Sequence, residues 1–211
     1  MAFAQCSDAG LIAVADAISS SVDSGSALAT VDGSGLNDPV TDAHTGANIQ
    51  QLVLNGTGTG PTDPNADPDP WVHYDLGATE SVDSIRFWNY NATSLLSRSI
   101  RDLDVYGSTD GAAFGDDGHA SWTLIGSFTD LVLAPRASGG ALTDPYGTNY
   151  DLTDSDIRYV RFDLVRTFGS QPAFAEVQFF SVAAVPEPSS LLTVGCFFGL
   201  AVGRRRRRQA C

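Results

Sequence analysis

The sequence predicts an all-β sandwich or jelly roll over residues 8–182, followed by an apolar tail that ends in a run of arginines. Three observations predict it. Short runs rich in Val, Ile, Phe and Tyr alternate apolar with polar positions, which is the period of a half-buried strand. Clusters of Gly, Pro, Asp and Ser separate those runs. No stretch of the body sustains a helical period for three turns; residues 9–18 come nearest and read equally well as a strand.

Taken in order, residues 71–76 set Val72, Tyr74 and Leu76 on one face and Trp71, His73 and Asp75 on the other. Residues 84–90 bring Ile85 and Phe87 together, and residues 100–107 set Leu103 and Val105 against Asp102 and Asp104. Residues 121–128, 157–165 and 174–182 complete the set. Asp32-Gly33, Thr109-Asp110-Gly111 and Asp117-Gly118 supply turn residues that accept positive φ. Residues 55–70, crowded with proline and glycine, and residues 129–150 are long connections, a kind that is usually functional or disordered.

A chain of 211 residues suits one domain plus appendages, and a body of this size buries a core without disulfides. The three cysteines, Cys6, Cys196 and Cys211, show neither metal spacing nor a disulfide framework. Lysine is absent. Setting aside Glu187 and the five tail arginines leaves 24 of the 25 acids and 7 of the 12 arginines, a net charge of −17 before the tail. Phosphate backbones would repel that surface, which excludes nucleic acid as a partner. It suits a solvated extracellular protein or one that gathers divalent cations.

Both ends read as addresses. Ala2-Phe3-Ala4 fits the small-x-small pattern of signal-peptidase cleavage, so residues 1–7 are expected to be the residue of a signal peptide and the mature N-terminus. Residues 183–211 contain Pro186-Glu187-Pro188, an apolar run over 191–202, and Arg204, Arg205, Arg206, Arg207 and Arg208. Twelve residues of helix span about 18 Å, short of a bilayer core of roughly 30 Å. The arginines would stay on the cytoplasmic side and leave the body outside. This tripartite tail resembles the PEP-CTERM sorting signal of bacterial envelope proteins. The resemblance implies a membrane-embedded transpeptidase, an exosortase, as partner, a short transmembrane helix before processing, and a destination at the outer surface or in the extracellular matrix.

The body carries a second resemblance. VDGSGL at 31–36, WVHYDLG at 71–77, IRFWNYN at 85–91, DVYGSTDG at 104–111, WTLIGSF at 122–128, RYVRFDL at 158–164 and AEVQFF at 175–180 are similar to successive blocks of the discoidin, or coagulation-factor type C, family. The resemblance implies an eight-stranded galactose-binding-like jelly roll, a module without chemistry of its own that binds glycans, lipid head groups or proteins through loops at one end. The chain departs from the pattern in lacking the end-tying disulfide and in its Asp/Pro loop.

Enzyme motifs are missing from the sequence. The histidines at 44, 73 and 119 form no H-E-x-x-H, and there is no G-x-S-x-G. Asp63, Asn65, Asp67 and Asp69 alternate as ligands for a hard cation, yet Pro68 and Tyr74 stand where an EF-hand needs glycine and glutamate; a solvated, turn-rich loop is the favoured reading. From the resemblance, a structural calcium would lie between Asp32 and Glu176, with Glu176 opposite Val177 and Phe179 and reaching outward. The resemblance also places ligand loops around His44, residues 91–98 and Arg136. A saccharide site there would draw a flat face from Trp88 or Tyr90 and planar hydrogen-bonding groups from His44, Asn91, Arg98 and Arg136. Arg158 and Arg161 are expected to pair with acids or to cover the core with their stems. The expected function is therefore a non-catalytic, carbohydrate-binding module on an exported envelope or matrix protein. The alternative is a structural surface protein without a small ligand, and a hydrolase stands third.

Overall fold

The structure, a computed structural model, describes residues 10–33, 36, 52–55, 67–91, 95–134, 147–169 and 171–181. They belong to a unit spanning Ala9–Val182. Eight strands follow one another: β1 Gly10–Ile12, β2 Asp16–Ser19, β3 Leu52–Val53, β4 Trp71–Asn89, β5 Ile100–Ser108, β6 Thr123–Phe128, β7 Thr148–Thr167 and β8 Ala173–Ser181. Three-residue 3-10 turns are the only helical pieces among the described residues. The ambiguous segment at 9–18 resolves into β1 and the start of β2.

β4 and β7, at 19 and 20 residues, are much longer than an ordinary strand, because each serves two layers. The first part of β4 pairs Trp71 with Asp163 and Asp75 with Tyr159 of β7, and Asp16–Ser19 of β2 lies on its other side. The register then shifts between Asp75 and Glu80, at a corner that Gly77 turns with φ +79°. Beyond it β4 pairs with the earlier half of β7 and with β8, from Val82↔Ser181 to Asn89↔Phe174. β5 and β6 extend the first layer; β1 and β3 flank β8 in the second.

The core fills the space between the layers. Tyr74 of the first layer meets Phe179 of the second with ring centroids 5.3 Å apart, and Phe162 touches Tyr74, Phe87, Phe174 and Phe179. The inward positions predicted by alternation, Val72, Tyr74, Ile85, Phe87, Leu103 and Val105, all lie in this cluster. Tyr74 donates its hydroxyl proton to Thr30 Oγ1 (3.1 Å), whose own proton goes to the Ala27 carbonyl (2.6 Å). Burial drives the Tyr74 pKa far above the ordinary phenol value.

The strand directions define two ends. One gathers the end of β4, the starts of β5 and β8, and the end of β7; it is the end of the connecting loops at 90–99 and 168–172. The other gathers the β4 corner, the end of β5 and the end of β8.

Candidate functional site

Two places carry unusual chemistry, and the first is Glu176. In the structure this side chain does not reach outward as the alternation suggested; it is 0% exposed. The reason is that β8 lies between β4 and β1, with both faces covered, so every residue from Ala173 to Phe179 is buried. The turn at residues 31–33 lies over Glu176, and Gly33 N–H donates to its Oε1 at 3.0 Å. Oε2 is buried with no hydrogen-bond partner. Desolvation, opposed by the Gly33 bond and reinforced by the Asp32 charge, pushes the Glu176 pKa up to about 8.

Asp32 and Glu176 border one cleft of about 270 Å³, closed by Ile12, Val14 and Val31. A buried carboxylate oxygen without a hydrogen-bond partner, beside a second carboxylate at a cleft, is the donor chemistry that hard cations take. These two residues therefore fit a calcium ion as far as side-chain oxygens go. No group of three or more His, Cys, Asp or Glu gathers at metal-holding distance among the described residues.

The second place is the loop end. The Asn89 carboxamide lashes the β4–β5 connection together, donating to the Ile100 carbonyl (2.7 Å) and accepting from Ile100 N–H (2.8 Å). Ser99 Oγ donates to the Tyr90 carbonyl (3.0 Å). The β7–β8 turn rests on this connection: Phe168 N–H donates to the Ser99 carbonyl (3.1 Å), and a Cβ on Gly169 would stand 2.9 Å from that of Ser97. On top sits Phe168, 38% exposed, with the Arg101 guanidinium 5.9 Å from its ring centre. Arg98 closes the neighbouring 3-10 turn, Leu96–Arg98, and its Nε is buried without a hydrogen-bond partner.

The expected sugar-binding residues fare unequally. Trp88 and Tyr90 are buried and offer no face to a ring; Gly147 is packed against the Trp88 indole, and Tyr90 forms a small cluster with Val53 and Ala173. Asn91 is buried as well. The alternation that faces Ile85 and Phe87 inward leaves Trp88 for solvent, but Gly147, just before β7, packs against the indole on that side. Arg98 is at the surface edge, and His44 and Arg136 lie outside the described residues. Phe168 was missed by the sequence reading. Its signal was an aromatic residue in a short Thr-Phe-Gly turn between two strands.

Elsewhere the predicted groups are structural. Asp67 holds its loop, with Oδ2 accepting from the Ser20 and Ser21 hydroxyls and Oδ1 from Asp69 N–H; Asp63 and Asn65 lie outside the described residues. Arg158 grips Asp75 through two bonds of 2.8 and 2.9 Å, and that pairing holds the Asp75 carboxyl below its usual range. Arg161 bonds Asp163 at 2.9 Å and lies 5.0 Å from the Tyr106 ring centre. Among the described residues no helix is long and apolar enough to cross a membrane; residues 1–7 and the sorting motif at Pro186, Glu187, Pro188 and the arginines lie outside them.

This architecture, two β layers joined by strands that pass between them and a loop-built end, defines an all-β galactose-binding-like jelly roll. Its solved counterparts include the family 32 carbohydrate-binding module of AlyQ in complex with 4,5-unsaturated mannuronic acid, 17% identical with a TM-score of 0.52, over 82% of this chain and 99% of that one. The lectin domain of lectinolysin, complexed with Lewis B antigen, is 21% identical with a TM-score of 0.50, over 80% and 93%. A fucose-binding module of Streptococcus pneumoniae is 16% identical with a TM-score of 0.53, over 82% and 96%. Against a longer AlyQ chain that includes the alginate lyase domain, the match covers 34%. At these identities the likeness is one of fold. No protein-family profile matches the chain, and no curated protein matches it in sequence.

Proposed function

We propose that this chain is a non-catalytic carbohydrate-binding module of an exported bacterial envelope or matrix protein, with its saccharide site at the loop end. The observation that carries the reading is Phe168. An exposed ring held between two strands, with Arg101 against it and Arg98 on the neighbouring 3-10 turn, supplies the apolar face and planar donors that sugar recognition needs. The solved structures that share the fold support it, since those described above are carbohydrate-binding modules or lectin domains. The charge of −17 before the tail favours a neutral saccharide, or one bridged by calcium, over a bare polyanion.

Within the same reading, a structural calcium ion binds Glu176 and Asp32, with main-chain carbonyls and water completing its shell. Its role is to neutralise the buried Glu176 carboxylate together with the exposed Asp32 beside it, and to fix the 31–33 turn on β8. The tail is read as a PEP-CTERM signal that an exosortase removes. Intact-mass analysis of surface-extracted protein is expected to find a C-terminus between residues 186 and 190.

A glycan array probed with the full chain, with and without calcium, tests the central claim. Binding to a defined set of neutral glycans is expected, and Phe168→Ala or Arg98→Ala weakens it about tenfold, or 1.4 kcal/mol, at an unchanged melting temperature. No binding to any glycan, or binding that survives both changes, favours a structural surface protein instead.

A further inference from the structure

At the end opposite the loops, a cleft of about 320 Å³ opens between the end of β5, the start of β6 and the bend of β7. Its floor is apolar, made by Ile125 and Ile157, with Gly107 so close to Ile157 that a Cβ there would lie 2.7 Å from it. Its walls are hydroxyl groups and one carboxylate, Asp156.

The hydroxyl protons can be traced. Ser121 N–H donates to His119 Nδ1 at 3.4 Å, so that nitrogen is an acceptor and the ring proton sits on Nε2, 3.9 Å from Asp110 Oδ2. The Ser121 hydroxyl, 2.9 Å from the same Nδ1, must then donate to it. Ser108 Oγ, 2.7 Å from Ser121 Oγ, donates in turn to Ser121, and it accepts from Asp110 N–H at 3.0 Å. Ser155 Oγ donates to the Thr153 carbonyl at 2.9 Å. Three wall hydroxyls thus spend their protons on the protein and keep lone pairs for a visitor. Asp156 is exposed and has no ion-pair partner among the described residues.

A wall of acceptors over an apolar floor selects a ligand with a C–H face, several donors and a positive charge. The absence of lysine from the chain means that no ammonium of its own competes for the place. Asp156 is the one carboxylate lining the cleft, whereas a hard cation draws on several oxygen ligands. We propose that this cleft binds a protonated amino sugar, its ring lying on Ile125 and Ile157 and its ammonium directed to Asp156. The site is separate from the saccharide site above. The nine residues of β5 run between the two ends, eight steps of roughly 3.3 Å or about 26 Å.

The test is an NMR titration of the full chain with glucosamine, N-acetylglucosamine and magnesium chloride, at a pH low enough to keep the amine protonated. Glucosamine is expected to shift the Ser108, Ser121 and Asp156 amides, and N-acetylglucosamine to bind at least tenfold more weakly. Asp156→Asn should weaken glucosamine at least tenfold, and Thr123→Val, which removes a wall hydroxyl without touching the proton chain, should weaken it less. Arg98→Ala should leave it unchanged, which separates this site from the loop end. Equal affinity for the acetylated sugar, indifference to Asp156→Asn, or displacement of glucosamine by equimolar magnesium would overturn the proposal.

Discussion

Glu176 and His73 have the same problem and opposite solutions. Each is fully buried, each accepts one backbone N–H (Gly33 at 3.0 Å, Gly115 at 3.1 Å), and each keeps one side-chain atom without a partner. His73 lies among rings, stacked 4.0 Å from Trp71 with Trp122 at 5.0 Å, and Arg161 is nearby. Desolvation and then the Arg161 charge lower its pKa to about 4, against a smaller opposing effect of Asp117, so it stays neutral. Glu176 has a second carboxylate beside it and a cleft in front. Burial suppresses charge in both, but only the acid faces space in which a cation can restore it. A buried polar atom without a partner suggests a ligand only when its surroundings leave room and the wrong charge; otherwise it is a cost of packing.

The largest effect that sharpens this contrast concerns Glu176. Without calcium, the folded chain keeps a proton that the unfolded chain releases near 4.5. Stability should be full below that value, fall as pH rises toward 8, and stay low above it, by on the order of a few kcal/mol. Millimolar calcium should raise the melting temperature most at pH 8 and little at pH 5. Glu176→Gln should flatten the pH dependence and abolish the calcium response. A calcium response that survives Glu176→Gln would break the comparison.

His73 should show the reverse slope with a smaller amplitude. Its folded pKa lies below the ordinary 6.5, so stability should be full above 6.5 and decline as pH falls toward 4, by roughly 1–3 kcal/mol. Urea melts of the parent and of His73→Phe, compared at pH 7 and pH 4.5, check this. The variant should lose about 1 kcal/mol at pH 7 with the Gly115 bond and lose its acid sensitivity with it.

The smallest effect belongs to the Arg158–Asp75 pair. Arg158 is 39% exposed, so solvent screens the charge and Arg158→Ala should leave the melting temperature nearly unchanged at any pH between 5 and 8.

Much of the body was legible from alternation, because Val72, Tyr74, Ile85, Phe87, Leu103 and Val105 do face inward. Alternation gave one buried face per strand, and it failed where a strand is covered on both. Trp88 and Glu176, which pair across β4 and β8, were read as outward and are both enclosed. The continuity of β4 and β7 through a corner was equally hidden, since the sequence there shows only Gly77 and a run of polar residues. The Asp32–Glu176 proximity came from resemblance alone; 143 residues of chain separate Gly33 from its bond to Glu176, and no local pattern encodes that contact.

One detail of the topology sets the two poles of the body apart. β8 begins at the loop end and finishes at Ser181, beside Gly10 of β1, so both ends of the body leave from the pole opposite Phe168. Phe168 and Arg98 therefore lie at the pole farthest from Gly10 and Ser181, and a ligand reaches them without passing either. The cleft at Asp156 shares its pole with Gly10 and Ser181, so the two poles present different surroundings to a ligand.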